Sequence, residues 1–271
     1  MKARLLVGLA GVPALLGVLW AGFPFLTILV GLVALWGLRE FYSLARGTGA
    51  RVSLTLGAIW TALFVASGQL TAQEGNLAPH LIGGGLLVTL VWTALTARSS
   101  KGGFLQSWLF TSAGPLYVGL LLSHALMLRE AGDGIYDGRN WLLYALLVTF
   151  ATDTGAFFTG KALGRHKMVP AISPGKTWEG AVGGLVWAVA ASVTLAALLD
   201  LSMSVGWQVS LGLILGVAAQ LGDLTESLLK RKAGVKDAGA LLPGHGGLLD
   251  RMDSLVVTLP VTYYLISLII D

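Results

Sequence analysis

The sequence predicts an all-α fold, a polytopic integral membrane bundle of about nine transmembrane helices with a cytoplasmic N-terminus and an outer C-terminus. Three observations predict it: the composition, the length of the apolar runs and the placement of the basic residues. Of 271 residues, 55% are hydrophobic and 12% charged, and the mean hydropathy is +0.77. A soluble domain is nearer a quarter charged. A water-soluble fold of this length has no interior large enough to hide so much apolar surface; a bilayer does.

The apolar runs cover 5–22, 24–42, 54–71, 81–97, 104–128, 141–159, 179–199, 207–222 and 254–270. Most are close to the roughly 20 residues that a spanning helix needs. They are long and continuous, where a barrel requires short alternating segments, and open backbone is excluded because lipid offers it no hydrogen-bond partner. The first run follows Lys2 and Arg4 in the manner of a secretory leader, but Leu19-Trp20-Ala21-Gly22 lacks the small-x-small cleavage pattern, so it is taken as a retained span. Gly22-Phe23-Pro24 makes a tight corner into the second run. In the fifth, Gly114-Pro115 is expected to kink the helix.

Alternating sides from a cytoplasmic N-terminus puts 16 of the 18 basic residues on one face. Only Arg129 and Arg139 fall outside. That is the asymmetry of the positive-inside rule, and a missed helix in the middle would scramble it. Glu74, Glu130, Asp133, Asp137, Asp200 and Asp271 face out in short loops with no assigned chemistry. The chain reads as one membrane domain, in which 1–140 are mainly structural spans and 141–271 carry the polar sequence. The absence of cysteine removes disulfides, thiolate nucleophiles and Cys-ligated metals.

Three polar clusters interrupt the second half. After the eighth run, Asp223, Glu226 and Lys230 are spaced i, i+3, i+7 and share a helix face, followed by Ser227 and Arg231. The plainer reading is a solvated helix end with an ion pair. Against it, Asp223 directly follows apolar sequence, where a carboxylate is costly unless a cation or water satisfies it. The second cluster runs Lys236-Asp237, then Pro243-Gly244-His245-Gly246-Gly247, then Asp250-Arg251 and Asp253. Its glycines forbid a helix interior and let backbone N–H groups approach an anion. Asp250 and Asp223 fall at one membrane level on adjacent spans, and two converging carboxylates suit a divalent cation such as Mg²⁺. Asp253 is also accounted for by the helix dipole alone, and His245 by the demands of a turn. A zinc site lacks ligands: no second His lies near His245.

The third cluster holds Asp153 inside the sixth run, the basic residues Lys161, Arg165, Lys167 and Lys176, and Ser173-Pro174-Gly175-Lys176-Thr177-Trp178-Glu179-Gly180. Ser173-Pro174 reads as an N-cap with Pro at the first helical position, which puts a helix N-terminus beside Lys176. Gly175-Lys176-Thr177 is not a P-loop: the required earlier glycine is Pro170, and no strand is expected before it.

The 27 residues from Ser227 to Asp253 resemble the signature of the phosphatidate cytidylyltransferase (CDP-diacylglycerol synthase) family. The resemblance runs through Ser227, Lys230-Arg231, Lys236-Asp237, Gly239, Leu242-Pro243, His245-Gly246-Gly247 and Asp250-Arg251-Met252-Asp253. The Asp153, Gly160-Lys161, Gly164-Arg165 and Ser173–Gly180 blocks are similar to the family too, with Phe157 where the family usually has Tyr. The N-terminal half matches only as membrane spans. The resemblance implies transfer of the cytidylyl group of CTP to phosphatidate, giving CDP-diacylglycerol and pyrophosphate. It also implies Mg²⁺ on Asp223 and Asp250, with a second cation left open, and a homodimer in the cytoplasmic (inner) membrane with its active site on the cytoplasmic side. Substrates are then CTP and a membrane lipid; nucleic acid is not an expected partner. In that chemistry Lys230, Arg231, Lys236 and Arg251 neutralise phosphate charge around Asp223 and Asp250, beside His245. Asp153, Lys161, Lys167, Ser173, Lys176, Thr177, Glu179, Glu226, Ser227, Asp237, Gly246, Gly247 and Asp253 bind substrate. The attacking lipid phosphate is already an oxyanion, so no strong general base is needed, and His245 is better suited to a phosphate contact or to shaping the loop. A related enzyme with another lipid acceptor is the nearest alternative. A secondary transporter is the competing class, but it calls for matching broken helices in both halves, whereas here the polar chemistry lies in one half.

Overall fold

The computed structural model describes residues 13–96, 102–131, 138–239 and 246–270. Helix dominates them, and seven helical segments are long and apolar enough to cross a membrane. These seven match the second to eighth expected runs. Of the first run, 13–21 are helical (α1), Gly22 follows the helix, and residues 5–12 lie outside the described residues. The ninth run falls on the last helix. His245 and the Pro243-Gly244 turn also lie outside them.

By internal contacts the chain forms two compact units. The first comprises Met1–Met127 and Lys232–Arg251. It contains α2 (Phe25–Gly47), α3 (Leu54–Glu74), α4 (Ala78–Thr96), α5 (Gly103–Gly114) and, after a π-helical turn over Pro115–Leu120, most of α6 (Leu121–Glu130). The π turn sits at the expected Gly114-Pro115 break and has a local cause. Pro115 has no N–H to give the carbonyl of Thr111, and its ring crowds that carbonyl. The Tyr42 hydroxyl donates to the Thr111 oxygen instead, at 2.7 Å. Tyr42 is fully buried, and a Cβ at either Gly57 or Gly114 would collide with its ring.

The second unit comprises Leu128–Arg231 and Met252–Asp271. It contains α7 (Gly138–Leu163), β1 (Lys167–Val169), β2 (Ser173–Thr177), α8 (Trp178–Leu198), nearly all of α9 (Val205–Lys232) and most of α10 (Leu249–Ile270). Helices α7 and α8 form an antiparallel hairpin packed through small residues. A Cβ at Gly155 would strike Trp187, one at Gly183 would strike Thr159, and one at Gly180 would stand 2.9 Å from the carbonyl of Ala156. Close approach through small residues is how membrane helices gain packing energy when lipid is as apolar as they are. Gly222 does the same for α9 and α10, since a Cβ there would collide with the carbonyl of Asp253. Thr149 donates to Thr258 at 2.8 Å, tying α7 to α10.

Two expectations for the α7–α8 connection are corrected. Ser173-Pro174 does not start a helix: Ser173–Thr177 is a strand paired antiparallel with Lys167–Val169. Thr177 is the N-cap, extended at φ −128° and ψ 154°, and its side chain accepts from Gly180 N at 3.1 Å. The helix N-terminus therefore comes four residues later than expected. A strand also precedes Gly175-Lys176-Thr177, but β1 is antiparallel to it, unlike the parallel-sheet strand that leads into a P-loop. The rejection of the P-loop stands on Pro170.

Candidate active site

The second unit holds a cavity of about 550 Å³. Its lining includes Asp153, Phe157 and Lys161 from α7, Lys167 from β1, Ser173, Lys176 and Thr177 from β2, and Gln220 and Asp223 from α9. Eight of these nine were named from the sequence as site residues or as a departure within the site; Gln220 was not. Gln220 Nε2 donates to Ala181 O at 3.1 Å, so it fastens α9 to α8 at the cavity wall.

Asp223 is the acidic centre. Lys176 Nζ lies 3.0 Å from Asp223 Oδ2 as an ion pair, and Ser227 Oγ donates to Asp223 Oδ1 at 3.3 Å. Asp153 and Asp253 are within electrostatic reach of Asp223 and of each other. Ser254 bridges the two, giving its hydroxyl to Asp153 Oδ1 at 3.2 Å and its N–H to Asp253 Oδ1 at 2.7 Å. Three carboxylates thus gather near one cavity whose other charged lining residues are Lys161, Lys167 and Lys176.

One turn along α9, Glu226 is fully buried and Lys230 Nζ lies 2.8 Å from its Oε2. The pair is not the solvated helix end of the plainer reading. Arg231 Nε donates to Ile172 O at 3.0 Å, so the end of α9 holds the β1–β2 turn. The base of that hairpin is closed by Glu179, whose carboxylate accepts from Arg165 N at 3.1 Å and His166 N at 3.2 Å. The His166 ring adds a contact of 2.5 Å from Nδ1 to Glu179 Oε1. Glu179 is thereby a bracket for the hairpin that carries Lys167 and Lys176. Lys161 Nζ lies 6.0 Å from the centre of the exposed Phe157 ring, within cation–π range.

Lys236, Asp237, Gly239, Gly246, Gly247, Asp250 and Arg251 belong to the first unit. Asp250 Oδ2 accepts from Ala238 N at 3.0 Å and Gly247 N at 2.8 Å, which draws the two sides of the loop together. Gly246 has φ 82°, in the region that favours glycine. Lys236, Asp237 and Arg251 are exposed. Below this loop lies a residue to which the sequence reading gave no role. Glu40 of α2 is buried, and its Oε2 accepts from Leu249 N at 2.7 Å and its Oε1 from Leu248 N at 3.1 Å. A signal for it was present: Glu40 is a carboxylate inside an apolar run, the same criterion that singled out Asp153.

Fold and cavity together define a multi-span membrane protein with basic and acidic side chains gathered around one cavity. The model described as "Cytidylyltransferase family" matches residues 2–269, and the chain belongs to that family. Among similar proteins, a phosphatidate cytidylyltransferase of Bacillus subtilis is 34% identical over 99% of this chain and 98% of its own. One from Staphylococcus haemolyticus is 32% identical over 96% and 97%, and one from Haemophilus influenzae is 32% identical over 97% and 98%.

Proposed function

We propose that this chain transfers the cytidylyl group of CTP to phosphatidate, forming CDP-diacylglycerol and pyrophosphate. The relatives' shared name supports the reaction, and the observation that carries it here is the lysine-lined cavity around Asp223. Both substrates and the leaving group are anionic. Phosphoryl-type transfer depends on positioning and charge neutralisation more than on covalent help from the protein. Lys161, Lys167 and Lys176 hold phosphate oxygens on one side of the cavity, with the exposed Phe157 face supporting Lys161. Lys176, relieved of Asp223 when substrate enters, turns its charge to the phosphates. The lipid phosphate oxygen attacks the α-phosphorus of CTP, the bond to the β-phosphate oxygen breaks, and pyrophosphate leaves with that electron pair. The lipid phosphate arrives as an oxyanion, so no protein base has to remove a proton.

The reading calls for a divalent cation such as Mg²⁺. Asp223 fits it: its carboxylate lines the cavity beside Ser227 and offers the oxygen ligands that a hard cation prefers. Asp223 would hold it, with Asp250 as the second carboxylate that the sequence resemblance pairs with it. Bound there, it supplies charge neutralisation to the phosphates and the departing pyrophosphate. The active site faces the cytoplasm, in keeping with the basic asymmetry of the loops, and the working form is a homodimer, as the family resemblance implies.

The test is formation of CDP-diacylglycerol by purified protein in detergent with CTP, phosphatidate and Mg²⁺, wild type against Asp223→Asn. Product from wild type alone is expected. Folded wild type that forms none, but forms product with another lipid phosphate or a lipid alcohol, reassigns the acceptor; folded wild type inactive with every acceptor overturns the reaction.

A further inference from the structure

We infer that Glu40, in the half of the chain without signature residues, is the positioning residue that fixes the backbone carrying Asp250. For its kinetic consequence alone, the inference rests on the cytidylyltransferase reading.

A carboxylate buried within a spanning helix is strongly destabilising unless hydrogen bonds satisfy it. Among the described residues, three N–H groups donate to Glu40. Trp36 Nε1 comes from its own helix, 3.2 Å from Oε1. Leu248 N and Leu249 N come from the start of α10, where the first N–H groups of a helix have no intrahelical acceptor. A negative charge there is favoured by the helix dipole. Glu40 therefore caps α10 from a segment more than two hundred residues away in sequence.

The same carboxylate accounts for two glycines of the signature. A Cβ at Gly239 would collide with Glu40 Oε1, and one at Gly247 would stand 2.7 Å from Glu40 Oε2. Both sides of the loop close onto Glu40, and neither leaves room for a side chain. Gly247 N and its neighbour across the loop, Ala238 N, are the donors that hold Asp250 Oδ2. The order of support runs from Glu40 to the backbone at 239 and 247–249, and from that backbone to the Asp250 carboxylate. Shifting the first support moves the last without touching it, and displacements well under 1 Å are costly at a reacting centre.

Full-length protein in detergent tests this with Glu40→Gln and Gly239→Ala. The first puts an amide NH₂ against a backbone N–H donor; the second keeps the charge and pushes it off its seat. Amide hydrogen exchange at Leu248 and Leu249 is expected to accelerate about tenfold or more in both variants, with the α7–α8 hairpin unchanged. kcat for CDP-diacylglycerol formation is expected to fall about tenfold or more, with KM for CTP within about twofold. Because the Gly239→Ala methyl needs the space that Glu40 fills, adding it to Glu40→Ala costs no further activity. Unchanged exchange at 248–249 in both variants, exchange accelerated equally throughout the chain, or fully additive losses in the double variant each overturn the inference. A wild type inactive with CTP and phosphatidate overturns the reaction assigned above and leaves the exchange result to decide Glu40.

Discussion

Asp223 has its charge balanced by Lys176 and lies within electrostatic reach of two further carboxylates. Asp223→Asn keeps the shape and removes the charge. It is expected to lower kcat by about a hundredfold or more while leaving thermal stability close to wild type, read by product formation and by melting in detergent. Asp250→Asn is expected to match it in activity. His245→Ala should lose clearly less, because an attacking oxyanion needs no base; a loss equal to that of Asp250→Asn would give His245 a direct part in the chemistry. The site was legible at this scale where a charged residue stood in apolar or glycine-rich sequence, as with Asp153, Asp223, Lys176 and Asp250. Gln220 escaped because an amide in a helix carries no such contrast, and its role comes only from the carbonyl of Ala181 that it meets.

At the scale of elements, hydropathy located the helices because each run is long and continuous, and a proline marked the π turn. It could not show what replaces the lost backbone hydrogen bond. Tyr42→Phe leaves the Thr111 carbonyl buried without that donor and is expected to destabilise the protein by about 1–3 kcal/mol. In a Pro115→Ala background, where an N–H can return to Thr111, the same substitution should cost a fraction of that; thermal melts of the four proteins decide it. The β1–β2 hairpin was not legible. Ser173–Thr177 reads Ser-Pro-Gly-Lys-Thr, with no apolar and polar alternation to mark a strand, and Ser-Pro imitates a helix start. The strand follows from pairing with Lys167–Val169 and from Trp178 N donating to His166 O at 3.0 Å, contacts that no local signal announces. Glu179→Gln weakens the bracket at the hairpin base and is expected to raise KM for CTP or phosphatidate severalfold, with a smaller change in kcat.

For the whole molecule, the orientation proposed from the basic asymmetry has a direct test: residues 72–80 and 129–140 are expected to accept membrane-impermeant labels from outside the cell, and labelling only after permeabilisation would reverse the topology. The signature runs continuously in sequence yet is shared by both compact units, with 232–251 in the first and the flanking residues in the second. Sequence proximity had suggested a single catalytic segment added to plain spans; Glu40, from those spans, caps the helix that bears Asp250.

The α7–α8 hairpin has a consequence for how the protein is made. Its two helices and the strands between them occupy 138–198, so the α7–α8 glycine seam, Thr177 and the lysines of the cavity emerge from the ribosome ahead of α9. Contacts this local close quickly and pay little loop entropy. The cationic wall of the cavity is therefore expected to form as a helical pair before α9 emerges from the ribosome, so that Asp223 meets a counter-charge already in place. A nascent chain arrested once α8 has cleared the ribosomal tunnel, with α9 still inside it, should thus already resist proteolysis across the hairpin.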